Sequence, residues 1–160
     1  MDPSNYLKIK KKIPSNVNIL AVSKGFKSQE IKTIMDIGQN DFGESKFQEA
    51  IEKQLSLKDS RQIKWHFIGR IQSNKIRKIV QNFKYIHSVD SFEKLQKISN
   101  ISFEEKKNPL IMLQVKLSDD PTKGGFNPEL LVTQWREIKQ LKNITLKGLM
   151  TINPKEISSK

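Results

Sequence analysis

Short runs of β-branched and other apolar residues alternate along this chain with longer stretches whose apolar positions recur every three or four residues. The short runs predict strands at 18–23 (NILAVS), 41–44 (DFGE), 64–69 (KWHFIG), 84–89 (KYIHSV), 109–117 (PLIMLQVKL) and 144–150 (ITLKGLM). Helices are expected at 28–38, with Ser28 as cap and Gly38 as stop, and at 45–57, where Phe47, Ala50, Ile51 and Leu55 share helical spacing. Further helices are expected at 73–83, with Ser73 as cap, at 91–98, and at 127–141, where Asn127 precedes a first-turn Pro128.

Strands that alternate with helices imply βαβ units and a parallel sheet, the α/β class. The strand ends fall near 23, 43, 68, 88, 116 and 150. That step of roughly 25 residues suits a (β/α)8 TIM-type barrel, which needs about 250 residues in eight units. Six units do not close such a barrel. No G-x-G-x-x-G follows the first run, so a dinucleotide fold has no support. The expectation is a single domain over 1–160, an incomplete barrel whose C-terminal units are missing and whose edges and one apolar face are left uncovered.

Composition narrows the chemistry. The 160 residues contain no cysteine, which removes disulfides and thiolate catalysis, and the setting expected is cytoplasmic. The N-terminus lacks a signal peptide's apolar segment, and no stretch has a membrane span's length and apolarity. The net charge of +12 invites a nucleic-acid reading. However, 25 of the 29 basic residues are Lys, spread along the chain apart from KIKKK at 8–12 and KIRK at 75–78. Arg is the residue of planar, bidentate recognition, so no specific nucleic-acid partner is expected.

In a parallel α/β architecture the chemistry sits at the carboxyl ends of the strands. Lys24, after the first run, is the one candidate nucleophile with such an address: a desolvated lysine amine can attack a carbonyl, whereas a solvated one is only a surface charge. His66 reads as a structural histidine, and His87 with Asp90 has no serine or cysteine to complete a triad. Two histidines without a spaced partner make no metal site. Asp119 and Asp120 read as turn residues, Gly124 and Gly125 as a weak anion cradle, and Phe126 as packing.

AVSKGF, DFGESKFQEA, WHFIGRIQSNK, IHSVDS, a GF followed by a proline-started helix, and GLMTINP occur here in that order. From about 17 to 154 the chain resembles the pyridoxal-phosphate homeostasis proteins, alanine-racemase-like proteins of fold type III. The resemblance implies a pyridoxal 5'-phosphate (PLP) carrier without catalytic turnover, with the cofactor held as a Schiff base on Lys24. It places Val22, Ile68 and Met150 near the cofactor ring and Ser45 in the pocket, where many relatives have Asn. It also implies PLP-dependent client enzymes as partners and a monomer in the full-length form. Relatives continue through a Gly-Met-Ser and an Arg-Gly segment that hold the phosphate and the pyridine nitrogen. The alternatives are a racemase-like enzyme, which needs a second acid/base, commonly a tyrosine, of which this sequence has only Tyr6 and Tyr85, and an inactive fragment.

Overall fold

The computed structural model describes residues 1–60, 62–118 and 124–153. These fall into two compact units, Met1–Gly69 and Arg70–Lys160, considered in turn.

The first unit opens with a helix that the hydrophobic pattern did not predict, α1 (Pro3–Lys12). Its lysine-rich face hides the helical period, yet Pro3 occupies its first turn and the Asp2 carboxylate accepts the Ser4 N–H at 2.9 Å. Tyr6 anchors it. That side chain packs in a cluster with Ile31, Ile34, Met35 and Phe42, and its hydroxyl donates to Gln39 Oε1 at 2.8 Å. Strands β1 (Ala21–Val22), β2 (Asp41–Glu44) and β3 (Lys64–Phe67) pair in parallel, with Val22 opposite Gly43 and Gly43 opposite His66. β1 is far shorter than the run at 18–23, although Ser23 N–H still donates to Gly43 C=O at 2.9 Å.

Helix α2 (Ser28–Met35) is capped one residue earlier than expected: Lys27 is the cap, with Glu30 reaching back to its N–H at 2.9 Å, and Ser28 is already helical. The chain then turns at Gly38, whose φ of +92° suits glycine. Helix α3 (Phe47–Ser56) corrects the expected apolar face. Leu55 is 66% exposed, and the buried positions are Ala50 and Lys53. Two glycines are fixed by close approach. A Cβ on Gly69 would lie 2.0 Å from the Ser45 carbonyl oxygen, and one on Gly43 would meet Ile68 Cδ1 at 3.0 Å.

In the second unit, strands β4 (Tyr85–Val89), β5 (Leu110–Gln114) and β6 (Thr145–Met150) pair in parallel, with Ile86 opposite Ile111 and Ile111 opposite Leu146. Residues 73–75 form a 3-10 turn before α4 (Ile76–Asn82), so Ser73 is not an α-helical cap. Helix α5 (Phe92–Glu104) runs beyond 98, capped by Ser91 Oγ on the Lys94 N–H. Helix α6 (Pro128–Ile138) starts as expected, with Asn127 accepting the Glu129 N–H at 2.8 Å. Ile86, Leu95, Ile98, Ile111, Leu113 and Ile138 are fully buried, whereas Val132 is 75% and Leu149 61% exposed beside an apolar hollow of about 390 Å³.

Burial therefore separates two aliphatic sites, Leu95 on α5 and Val132 on α6. Leu95→Ala is expected to lower the free energy of unfolding by about 2–5 kcal/mol, and Val132→Ala to change it by less than about 0.5 kcal/mol. Urea denaturation of both variants checks this; equal losses would contradict the placement.

Candidate functional site

Lys24 stands at the second position of a four-residue turn that follows β1. The Phe26 N–H donates to the Ser23 carbonyl at 3.1 Å, and Gly25 takes φ +80°, as the third position of a type II turn demands. Lys24 is exposed, and its amine has no hydrogen-bond or ion-pair partner among the described residues.

The turn is held from below by charge. Only Ser45 and Lys46 separate β2 from α3, so the first turns of α3 lie beside the strand ends. Lys53 points there from the helix with its side chain 7% exposed. An ammonium has three N–H donors, and here each finds an acceptor: Ser23 C=O at 2.7 Å, Glu44 Oε1 at 2.7 Å and Glu49 Oε1 at 2.6 Å. Glu44 is fully buried; its Oε1 also accepts the Ser23 hydroxyl at 2.6 Å, while its Oε2 has no partner among the described residues. The Glu49 Oε1 that binds Lys53 also takes the Gly25 N–H at 2.5 Å. The hydrogen bond from Lys53, then that from Gly25 N–H, holds the Glu49 carboxyl below its ordinary pKa, so it stays ionised.

The other residues singled out by sequence fall as follows. Val22 is 40% exposed, Ser45 is half-buried with its backbone against Gly69, and Ile68 is half-buried over Gly43. Met150 ends β6, half-buried, its carbonyl accepting the Val115 N–H at 2.8 Å. Asp90 binds Lys94 at 2.8 Å. Gly125 is needed for close packing, since a Cβ there would lie 2.6 Å from Lys116 N. Phe126 is 4% exposed, a packing residue as expected. Asp119 and Asp120 lie outside the described residues. Sequence reading missed Glu44, Glu49 and Lys53. The only local sign was the Glu49–Lys53 spacing of four on a helix, which is common on solvated faces.

His66 is structural in its setting, 7% exposed, with Nε2 3.0 Å from Asp41 Oδ1. Burial pushes its pKa down, and Asp41 only partly offsets this. The unfolded chain thus binds a proton more readily than the folded one. The contribution of His66 to stability is complete above its ordinary pKa of about 6.5 and is lost as pH falls through the lower folded value. Stability by urea denaturation is expected to fall between about pH 7.5 and 5.5, less steeply in His66→Gln; a wild-type rise over that window would contradict the burial.

Among the described residues no helix is long and apolar enough to cross a membrane. Residues 3–158 match the family described as alanine racemase, N-terminal domain. The pyridoxal phosphate homeostasis protein of Synechocystis sp. is 42% identical over 156 residues, which are 98% of this chain and 72% of that protein. The protein of the same name from Pseudomonas aeruginosa is 41% identical over 87% of this chain and 60% of its own length. Among solved structures, PipY of Synechococcus elongatus without PLP superposes with a TM-score of 0.94 at 37% identity, covering 99% of this chain and 74% of that one. The same protein with PLP bound gives 0.92 at 36% identity, covering 98% and 72%. An alanine racemase of Clostridium difficile shares the fold at 19% identity and a TM-score of 0.73. The TIM-barrel-type α/β class expected from the strand order is thus this chain's class, with six parallel βα strands among the described residues. On this match and these identities, the chain belongs to the pyridoxal phosphate homeostasis proteins of the alanine racemase N-terminal domain family.

Proposed function

We propose that this chain is a non-catalytic carrier of pyridoxal 5'-phosphate, which it holds through the amine of Lys24. One observation carries the reading: Lys24 presents an exposed, unpaired amine at the carboxyl end of β1, while the buried lysine next to it has all three donors engaged. The fit to the cofactor follows from that donor. Pyridoxal phosphate supplies an aldehyde that condenses reversibly with a primary amine. Lys24 is the amine, Val22 and Ile68 offer apolar surface for a ring, and Ser45 offers a hydroxyl at the pocket position after Glu44. Met150, at the carboxyl end of β6, carries a ring assignment from the family resemblance alone. The family likeness and the PLP-bound PipY support the same cofactor.

The placement of the two tyrosines supports the reading without turnover. A racemase needs a second proton carrier facing the amine. The hydroxyl of Tyr6 is spent on Gln39 in the core, and Tyr85 opens β4 at the amino end of its strand. The proposed role includes residues 1–160 as one cofactor-binding domain, a cytoplasmic setting, a monomeric full-length form and delivery to PLP-dependent client enzymes.

Sodium borohydride treatment of a protein–PLP mixture, followed by peptide mapping, is expected to give one principal adduct on Lys24. Lys24→Ala should abolish that adduct and shift stability by less than about 0.5 kcal/mol, because the side chain is exposed. An adduct indifferent to the substitution, or none in the wild type, would overturn the reading.

A further inference from the structure

Two peptide planes attach Lys24 to the chain. One carries the Ser23 carbonyl, the other the Gly25 N–H. Both are bound by side chains from α3: the carbonyl by Lys53 Nζ at 2.7 Å and the N–H by Glu49 Oε1 at 2.5 Å. Glu49 and Lys53 are themselves joined at 2.6 Å, and Lys53 is locked onto buried Glu44 at 2.7 Å. The turn needs such restraint. Gly25 sits at φ +80° with open space around it, so nothing steric holds its backbone, and glycine has the most conformational freedom to lose.

An i, i+4 pair that served α3 alone would not extend to another segment's backbone. This one uses the same carboxylate oxygen for Lys53 and for Gly25. With both flanking planes fixed, only the side-chain torsions of Lys24 remain free.

We propose that Glu49, backed by Lys53 and Glu44, is a positioning residue that clamps the Ser23–Gly25 backbone and so fixes where the Lys24 amine meets its ligand. The proposal rests on Lys24 as the pyridoxal-phosphate lysine. Glu49 touches no ligand in this account; it acts through the turn. A ligand held at several points needs the amine at one place, because misplacement of a reacting group by about 1 Å can cost up to a hundredfold. A ligand held only by its aldehyde does not. That difference separates positioning from general stability.

The test compares wild type, Glu49→Ala, Glu49→Gln and Lys24→Ala, each checked for a cooperative urea transition because Glu49→Ala also removes one of the three acceptors of buried Lys53. Two probes are used: pyridoxal phosphate, titrated by absorbance, and propanal with cyanoborohydride, read as the labelling rate at residue 24 by peptide mapping. Glu49→Ala is expected to weaken pyridoxal phosphate capture about tenfold while the propanal rate at Lys24 stays within about twofold of wild type. Glu49→Gln, which keeps an acceptor for the Gly25 N–H, should recover capture to within about threefold. Unaltered capture in Glu49→Ala overturns the clamp, as does a parallel fall with both probes, which would mean an effect on the amine's reactivity and not its place. A Gln variant as weak as the Ala variant also overturns it. A wild type that captures no pyridoxal phosphate at residue 24, yet labels there with propanal, overturns the Lys24 reading and the clamp's purpose with it.

Discussion

A buried ammonium ion governs the local architecture around the candidate site. Lys53 is almost wholly removed from water, and an unpaired charge there would be very costly. It is retained because three acceptors converge on it from three segments: the Ser23 carbonyl after β1, Glu44 at the end of β2, and Glu49 one turn back on α3. None of the three can move without leaving a donor unsatisfied. A well-packed apolar residue at such a site is often no less stable than a buried ion pair. What the ions add here is direction: they tie the end of one strand to the next strand and to the helix that follows.

Lys24 inherits its place from that arrangement. Its neighbours in sequence are fixed, its own side chain is exposed, and its amine is unpaired among the described residues. Two lysines that meet at one turn, Lys24 within it and Lys53 bound to its Ser23 carbonyl, thus differ by environment. Lys53 is buried against two carboxylates and a carbonyl; Lys24 is exposed and, in the proposed role, is the amine that reacts. The charge of +12 is spread over many further lysines, and it is the setting of these two, not the total, on which the proposed function rests.

Much of the fold was legible in the sequence because every strand except β2 (DFGE) is marked by its own apolar run, and because α6 carries Asn127 and Pro128 at its start. The address of Lys24 followed from strand order alone. Other features were hidden for physical reasons. α1 was masked by lysines that leave Tyr6 as its one buried residue. The face of α3 was misread because Lys53 is buried and Leu55 is exposed, the reverse of what hydrophobicity predicts. The Gly69 of WHFIG reads as an ordinary strand end until the Ser45 carbonyl is seen against it. The carboxylates around Lys53 are brought together by tertiary packing, and no spacing along the chain announces that.

The turn bearing Lys24 is held before any ligand arrives, through the bond from the Gly25 N–H to Glu49. Amide hydrogen exchange of Gly25 in the cofactor-free protein measures that bond directly. The Gly25 amide is expected to be protected by about tenfold or more over its unstructured rate, with protection lost in Glu49→Ala and kept in Lys24→Ala. Exchange of Gly25 at the unstructured rate in the wild type would contradict it.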